Sequence, residues 1–542
     1  MGSGTRRDSI RRTDVPLQPS LVRGLLRPEA YAERPGTVEL RQTHISWVFL
    51  ADGFVYKVKK PVRFEFLDYS TLGRRLFFCR EEVRLNRRLA PDVYLGTVPI
   101  LGRGEEVRVC SRPEGEGHWP VVEYAVRMRR LPAERLLDAR LSEGLVGRAE
   151  MAAVAARLVN FHEAAPVGRG EFGSAAAVVN TVRSDFLEMM PHVGETLSKR
   201  EAGDIERFYA AFADANGELL GRRFAEGRIR EGHGDLRAEH ICLVDPIVVF
   251  DCVEFSERLR TVDVASEIAF LAMDLDFLGE PALAEDLVSA YAKAAHDDDL
   301  RRLLPFYGCY RACVRGKVET LKSGESEVPP RERVQARLRA RRYFRLALRY
   351  ALGAPRPALI LVCGPAGTGK STVARLVAAD TGFPIRSSDV VRKRLAGIPV
   401  TARASGGYLE GIYRPEFSRR TYDRLLEETG RLLRSGRGAI VEATFLERVH
   451  RRPFVDLARA LRVPLVVVEC RAGEAEVLRR LDERASDPEE PSDAGRDVYF
   501  RHTQVFEPPT EVPPAERLVA ETDRDLEALP DELRSLLGST RQ

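Results

Sequence analysis

The order of apolar and polar residues along the chain changes character twice. Strand-like stretches come first: residues 38–42, 46–50 and 54–59 read as a meander, with Asp52-Gly53 as the tight turn before the third. A helix-like segment over 76–89 carries Glu81 and Glu82, and strands are expected again at 97–101, 107–110 and 121–128. From Leu131 the spacing is helical for a long way. Met151, Val154, Ala155, Leu158 and Val159 recur at helical intervals within 148–162, and further helices are predicted over 180–190, 201–224, 262–278, 280–295, 300–321 and 331–352. One polar, glycine-containing loop, residues 231–240, interrupts them, and two short strand-like pieces, 241–244 and 247–250, flank Asp245-Pro246. Beyond Gly353 strands alternate with helices, the strands expected at 383–386, 438–442, 463–470 and 517–520.

Gly353-Ala354-Pro355-Arg356-Pro357 is a linker by composition, and it separates two halves that share no internal repeat. The expected organisation is a disordered N-terminus over 1–20, a first domain over 21–322, a helical linker over 323–357 and a second domain over 358–542. The arginine-studded helix 331–352 reads as a solvated bridge, with a nucleic-acid stripe as the alternative.

The sharpest chemical signal lies where an apolar strand ends at Cys363. There Gly364-Pro365-Ala366-Gly367-Thr368-Gly369-Lys370-Ser371 forms a full G-x-x-x-x-G-K-[ST] loop, and Thr372 continues into a helix. Small residues let backbone N–H groups curl round phosphate oxygens, and the helix start offers its unpaired N–H groups and dipole to the anion. Lys370 supplies a point charge for the β- and γ-phosphates of ATP, and Ser371 a hydroxyl for Mg²⁺. Downstream, Asp389 and Arg392 follow the second strand of this half, Glu442 ends the third, and Arg480 and Arg484 lie one helical turn apart before residues 486–495, which read as mobile, so that the two arginines are expected to close over the phosphate as a lid. Asp389 is placed to act as base or metal-water ligand, Arg392 and Glu442 to meet the acceptor, and the two arginines to neutralise a transferring phosphoryl group. A capping aspartate and a solvated helix face are the ordinary alternatives.

The first half carries a looser constellation. Lys57 sits on a strand after a hairpin, Glu81 or Glu82 on the next helix, Asp235 in the distant polar loop, and Asp251 at the end of a short strand. Phosphoryl transfer is mostly positioning and charge neutralisation, so a kinase needs a glutamate-held lysine on the phosphates, a carboxylate for the acceptor hydroxyl and groups for Mg²⁺. These residues supply that set in order, with Glu82 preferred over Glu81.

Residues 38–320 resemble the aminoglycoside phosphotransferase-like kinases through Thr43-His44-Ile45-Ser46-Trp47, Tyr56-Lys57-Val58-Lys59-Lys60-Pro61, Asn86-Arg87-Arg88-Leu89-Ala90-Pro91 and Asp251-Cys252-Val253-Glu254-Phe255. The resemblance implies an α+β, protein-kinase-like fold with Lys57 on phosphate, Asp235 as catalytic base and Asp251 on Mg²⁺. The family loop reads H-G-D-x-H-x-x-N; this chain has Arg237 for the inner His and His240 at the final Asn, a second metal position. Residues 355–525 resemble the small P-loop kinases of the gluconate-kinase, zeta-toxin and polynucleotide-kinase kind through Ser388-Asp389, Arg392-Lys393, Glu442-Ala443-Thr444-Phe445 and Ser492-Asp493-Ala494. That implies an α/β P-loop NTPase with a parallel sheet, in which Glu442 replaces the usual Asp.

Composition narrows the rest. Apolar content of 44%, charged content of 31% and a net charge of only +4 over 542 residues describe a globular protein whose charge does not argue for nucleic acid. The eight cysteines include no C-x-x-C pair, so free buried thiols are expected rather than disulfides or zinc. No apolar run approaches a membrane span, the first residues carry no apolar core of a signal, and Arg6 stands where myristoylation needs Ser or Thr, so a cytoplasmic location is expected. The expected function is a bifunctional ATP-dependent phosphotransferase acting on hydroxyls of small molecules. Its rivals are a regulatory ATPase with a degenerate first domain and a nucleic-acid end kinase.

Overall fold

A computed structural model of the chain describes residues 19–539 apart from 65–66, 105, 111–118, 169–174, 326–327, 354–356, 400–410, 486–494, 525 and 527. Residues 1–18 of the expected disordered start, residues 326–327 and 354–356 of the expected linker, and residues 486–494 with Ser492-Asp493-Ala494 lie outside the described residues, while residues 19–20, expected as disordered, open the helix Pro19–Leu25. The chain forms two units, Met1–Met190 with Tyr209–Leu275 and Glu280–Arg311, and Pro191–Phe208 with Asp276–Gly279 and Ala312–Gln542.

In the first unit six strands make an antiparallel sheet in the order Val38–Gln42, Ser46–Ala51, Phe54–Lys59, Val121–Arg129, Tyr94–Arg103, Glu106–Val109. Alternation explains its two faces: Trp47, Phe49, Tyr56 and Val58 enter one core, while Val55 and Val126 enter another with Cys79 and Val83 of the helix Leu72–Asn86. That helix starts where Thr71 accepts the Arg74 N–H at 3.3 Å, and it lies against the sheet beside the strand that carries Lys57. The rest of the unit is largely helical. Val264–Leu278 is its most buried helix, with every side chain from Val264 to Leu275 out of solvent. Residues 262–263, expected as helix, instead belong to the strand Thr261–Asp263, which pairs antiparallel with Ile229–Glu231 just before the polar loop.

The second unit centres on a five-stranded parallel sheet in the order Ile385–Ser387, Ala439–Glu442, Leu359–Cys363, Leu465–Arg471, Arg517–Glu521. Leu359–Cys363 is central and wholly buried: Leu359, Leu361 and Cys363 face one core, and Ile360 and Val362 face the other with Val373, Ala374 and Val377 of the helix Lys370–Thr381. A strand covered on both faces reads as an unbroken apolar run, which is how Ala358–Cys363 reads in the sequence. The helix Pro330–Leu352 also belongs to this unit and is no solvated rod. Ala336, Ala340, Tyr343, Phe344 and Ala347 are buried, and Tyr343 stacks on Phe277 at 3.8 Å. All eight cysteines are free and buried.

Candidate functional site

Two clusters of charged side chains form, one in each unit. In the first, Lys57 Nζ lies 3.0 Å from Glu82 Oε1 and 2.5 Å from Asp251 Oδ1. Glu82 is fully buried and also holds Lys59 at 2.8 Å, while Lys59 pairs with Glu254, whose Oε1 accepts the Tyr69 hydroxyl at 2.5 Å. Glu81, one position back, is half-buried and paired with Arg84. Burial alone would push Lys57 down, but Asp251, Glu82 and Glu254 outweigh it and hold the ammonium well above the ordinary lysine value. Asp251 is pushed up by burial and held below the usual carboxylate range by Lys57 and His240.

The Asp235 loop is fixed by its backbone. Glu267, from the buried helix, accepts the N–H of His233 at 2.6 Å and of Gly234 at 2.7 Å. His162 stands behind Glu267, Nε2 at 3.4 Å, and its Nδ1 meets the Tyr291 hydroxyl at 2.7 Å. Burial would raise the Glu267 carboxyl; its hydrogen bonds and the neighbouring imidazoles bring it down to about 2. No side chain fits at Gly232, where a Cβ would stand 2.4 Å from Glu267 Oε2. His233 then ties the loop to the Asp251 strand end. Its Nδ1 accepts the Asp235 N–H at 3.3 Å, its Nε2 donates to Phe250 O at 2.8 Å, and burial pushes its pKa down, toward the neutral ring that this pattern needs. Asp251 itself takes a left-handed conformation, φ 65°, held by N–H bonds from Asp251 to the Tyr94 hydroxyl at 3.2 Å and from Cys252 to Asn86 Oδ1 at 2.9 Å.

His240 lies between the two aspartates, 3.7 Å from each carboxylate, with Nδ1 bonded to Asp235 O at 2.8 Å. Asp235 is gripped through both oxygens by Arg237, each bond 3.0 Å. Asp251 offers Mg²⁺ the hard oxygen it prefers, whereas His240 offers nitrogen. Among the described residues no group of three or more His, Cys, Asp and Glu forms a metal cluster.

In the second unit Gly364, Gly367 and Gly369 carry φ of 143°, 78° and 81°, and Gly369 caps the helix Lys370–Thr381. Lys370 Nζ donates to Pro365 O at 2.8 Å, so the lysine folds back across its own loop. Ser371 Oγ donates to Glu442 Oε1 at 2.5 Å, bringing hydroxyl and carboxylate together as oxygen donors that suit Mg²⁺. Arg480 reaches Thr522, at 2.9 Å to Oγ1 and 2.7 Å to O, and Thr522 Oγ1 donates to Thr368 O at 2.9 Å. The arginine therefore braces the phosphate loop from behind through Thr522. Asp389 is exposed in the first turn of the helix Ser388–Ala396. Arg392 is buried, bonded to Ile412 O at 2.7 Å and Ser418 Oγ at 3.0 Å, and lies over the Tyr413 ring. Arg484 lies on the helix Glu474–Ala485, and its side chain is outside the described residues.

Uncharacterized protein Rv2004c of Mycobacterium tuberculosis (strain ATCC 25618 / H37Rv) is 33% identical over 438 residues, spanning 80% of this chain and 84% of that protein. The chain belongs to the family of that mycobacterial protein. Uncharacterized protein Mb2027c of Mycobacterium bovis, with the same identity and coverage, is a further relative. Within the chain, residues 359–509 match the family described as AAA domain, which takes in the phosphate loop, Asp389, Glu442 and Arg480. Solved structures similar to parts of the chain include amicoumacin kinase hAmiN in complex with AMP-PNP, Ca²⁺ and Ami (10% identity, 60% of this chain and 93% of that one, TM-score 0.36). Another is a gluconokinase from Sinorhizobium meliloti 1021 (20% identity, 34% of this chain and 94% of that one, TM-score 0.24).

Several residues that shape these clusters in this family member carry no local motif. Glu267 and His162 sit 105 positions apart on two separate helices, neither in a recognisable motif, so nothing short-range marks them. His502, on the helix Arg496–Val505, is pushed down to about 4 by burial and by the charge of Lys370, which makes it a neutral neighbour of the phosphate loop. No helix among the described residues is long and apolar enough to cross a membrane.

Proposed function

We propose that the chain is an ATP-dependent phosphotransferase with two separate nucleotide sites, each moving the γ-phosphoryl group to a hydroxyl of a small molecule. The observation that supports this most is the single ammonium of Lys57 held between Glu82 at 3.0 Å and Asp251 at 2.5 Å, an arrangement that presents one fixed positive charge and one carboxylate to a polyphosphate. In that site Lys57 would bind the phosphates and Asp235 would orient the acceptor hydroxyl and take its proton. The acceptor oxygen bonds to phosphorus as the bond to the β–γ bridging oxygen breaks, and ADP leaves with the electron pair. In the second site the loop Gly364–Ser371 would cradle ATP, with Lys370 swinging off Pro365 O onto the phosphates. Asp389 is exposed and available as base, Arg480 would hold the phosphate loop in place through Thr522, and Arg484 would neutralise the transferring group. Asp251 in one site and Ser371 with Glu442 in the other would hold Mg²⁺, which would supply neutralisation of phosphate charge.

A second reading is favoured by one feature, the bidentate grip of Arg237 on Asp235 beside His240. There the first unit binds nucleotide but transfers slowly, and the second is a regulatory ATPase. ATP turnover on a pooled panel of sugars, amino alcohols, nucleosides and RNA ends, compared across wild type, Asp235→Ala and Lys370→Ala, separates the two. Loss of transfer to a different acceptor in each variant supports two phosphotransferase sites. If only Lys370→Ala changes turnover, and hydrolysis is indifferent to acceptor, the second reading replaces the first.

A further inference from the structure

A cavity of about 400 Å³ opens within the first unit, lined among others by Asn180 and Thr181 of the helix Ala175–Met189, by Arg258 and Ser266, and by Tyr307 and Tyr310 of the helix Leu300–Gly324. Its size suits a molecule between a monosaccharide and a nucleoside. One wall residue packs against Gly234, the residue before Asp235. Leu259, on its wall, has its carbonyl oxygen 3.1 Å from where a Cβ on Gly234 would stand. The buried Arg311 joins the two, donating through Nε to Ser266 Oγ at 3.0 Å and through Nη1 to Gly234 O at 3.3 Å.

The charges around the cavity are already matched. Asp263 on its wall accepts from Arg223 through both oxygens, each at 2.7 Å. Asp185 accepts the Tyr310 hydroxyl at 2.6 Å and lies 3.6 Å from Arg258. An ammonium group entering here would meet carboxylates whose oxygens already face guanidinium groups, and would add a cation beside Arg258 and Arg311. Asn180, Thr181, Ser184 and Thr261, by contrast, bring uncharged hydroxyl and amide groups to the wall. A neutral hydroxyl-rich ligand can both donate to and accept from such a wall without displacing an ion pair.

We infer that this cavity is the acceptor site of the Asp235 centre and that it takes an uncharged polyhydroxylated molecule of sugar or nucleoside size, not a polycationic amine. The inference rests on reading the first unit as a phosphotransferase, and the test keeps the two apart. The full chain carrying Lys370→Ala, which silences the second site, is assayed for phosphoryl transfer from ATP to D-glucose, myo-inositol, adenosine and the polycationic kanamycin. The same chain is then assayed with Thr181→Trp added to fill the cavity, or with Asn180→Leu, which removes an amide without adding bulk, should the tryptophan variant fail to fold.

Transfer to a neutral probe, with its KM raised about tenfold or more by the cavity variant while ATP affinity stays within about twofold, is the expected result. Transfer to kanamycin alone, or a KM that ignores the variant, overturns the acceptor assignment and leaves the phosphotransferase reading standing. If ATP binds in a Lys57-dependent way but no probe is phosphorylated, the phosphotransferase reading fails. Calorimetric titration of the same four probes then decides the cavity's ligand class: a neutral probe whose binding is lost in the cavity variant supports it, and no binding of any neutral probe overturns it.

Discussion

Glu81 and Glu82 are adjacent in sequence, yet one is half-buried and pairs with Arg84 while the other is fully buried between two lysines. Consecutive helix positions point about 100° apart, so only the packing of the helix Leu72–Asn86 on its sheet decides which carboxylate faces Lys57. Glu82→Gln leaves Lys57 and Lys59 sharing Asp251 and Glu254, and removing one partner of a buried pair costs about 3–5 kcal/mol. Urea unfolding should show a loss of that order, together with weaker nucleotide binding at the first site, while Glu81→Gln stays within about 0.5 kcal/mol of wild type. Glu267 carries a pH signature as well. Its folded pKa of about 2 lies below the ordinary 4.5, so its contribution is fully present above pH 4.5 and disappears as pH falls through 2. The shift corresponds to about 3 kcal/mol. The stability gap between wild type and Glu267→Gln should therefore narrow steadily from pH 4.5 to 2; a gap that stays constant across that interval would mean the carboxylate's charge contributes nothing. Lys57, Asp235 and Asp251 were legible because each sits in a short motif, whereas Glu267 was not, since its chemistry depends on partners at 162 and 233 that no spacing rule connects.

At the scale of elements, the strands and the phosphate loop followed from local pattern because each is set by its own residues. The central strand Leu359–Cys363 is apolar throughout since helices cover both its faces, and the loop beyond it needs glycine for reasons now visible. Gly367 has φ 78°, and a Cβ there would stand 2.7 Å from Val477 Cγ1 on the helix Glu474–Ala485. Gly367→Ala thus combines a left-handed backbone penalty of about 1–2 kcal/mol with displacement of that helix. Fluorescent-nucleotide titration should find affinity at the second site lowered by about tenfold or more, with the Lys57 site unchanged. Unchanged affinity at the second site would show that the helix yields without disturbing the loop. What local pattern missed is the strand Thr261–Asp263: it runs straight into an apolar helix with no break to mark its start, and it is extended because Ile229–Glu231, about thirty positions earlier, pairs with it.

At the scale of the whole molecule, the rival most open to a simple test is nucleic-acid binding through the arginine-rich helix Pro330–Leu352. A backbone-binding stripe needs guanidinium groups presented to phosphate, and within the second unit this helix turns many of its arginines inward. Arg339 pairs with Glu319 at 2.8 Å, Arg345 with Glu201 at 3.1 Å, and Arg349 with Asp276 at 2.5 Å. Arg342 donates to Phe277 O at 2.9 Å and lies over the Phe277 ring at 4.3 Å. To bind phosphate these groups would have to leave carboxylates, an aromatic face and a backbone carbonyl, and the net charge of +4 over 542 residues adds little long-range attraction. Each phosphate neutralised on a single strand contributes about −0.7 to the slope of log K against log salt, so a true stripe of four contacts would lose nearly fiftyfold in affinity between 50 and 200 mM salt. Fluorescence anisotropy with a labelled 20-nucleotide RNA should instead show weak binding that changes by less than about threefold over that range. A steep slope, abolished by Arg339→Ala with Arg342→Ala, would mean that the helix releases its partners for nucleic acid and would restore the end-kinase reading over a small hydroxylated acceptor.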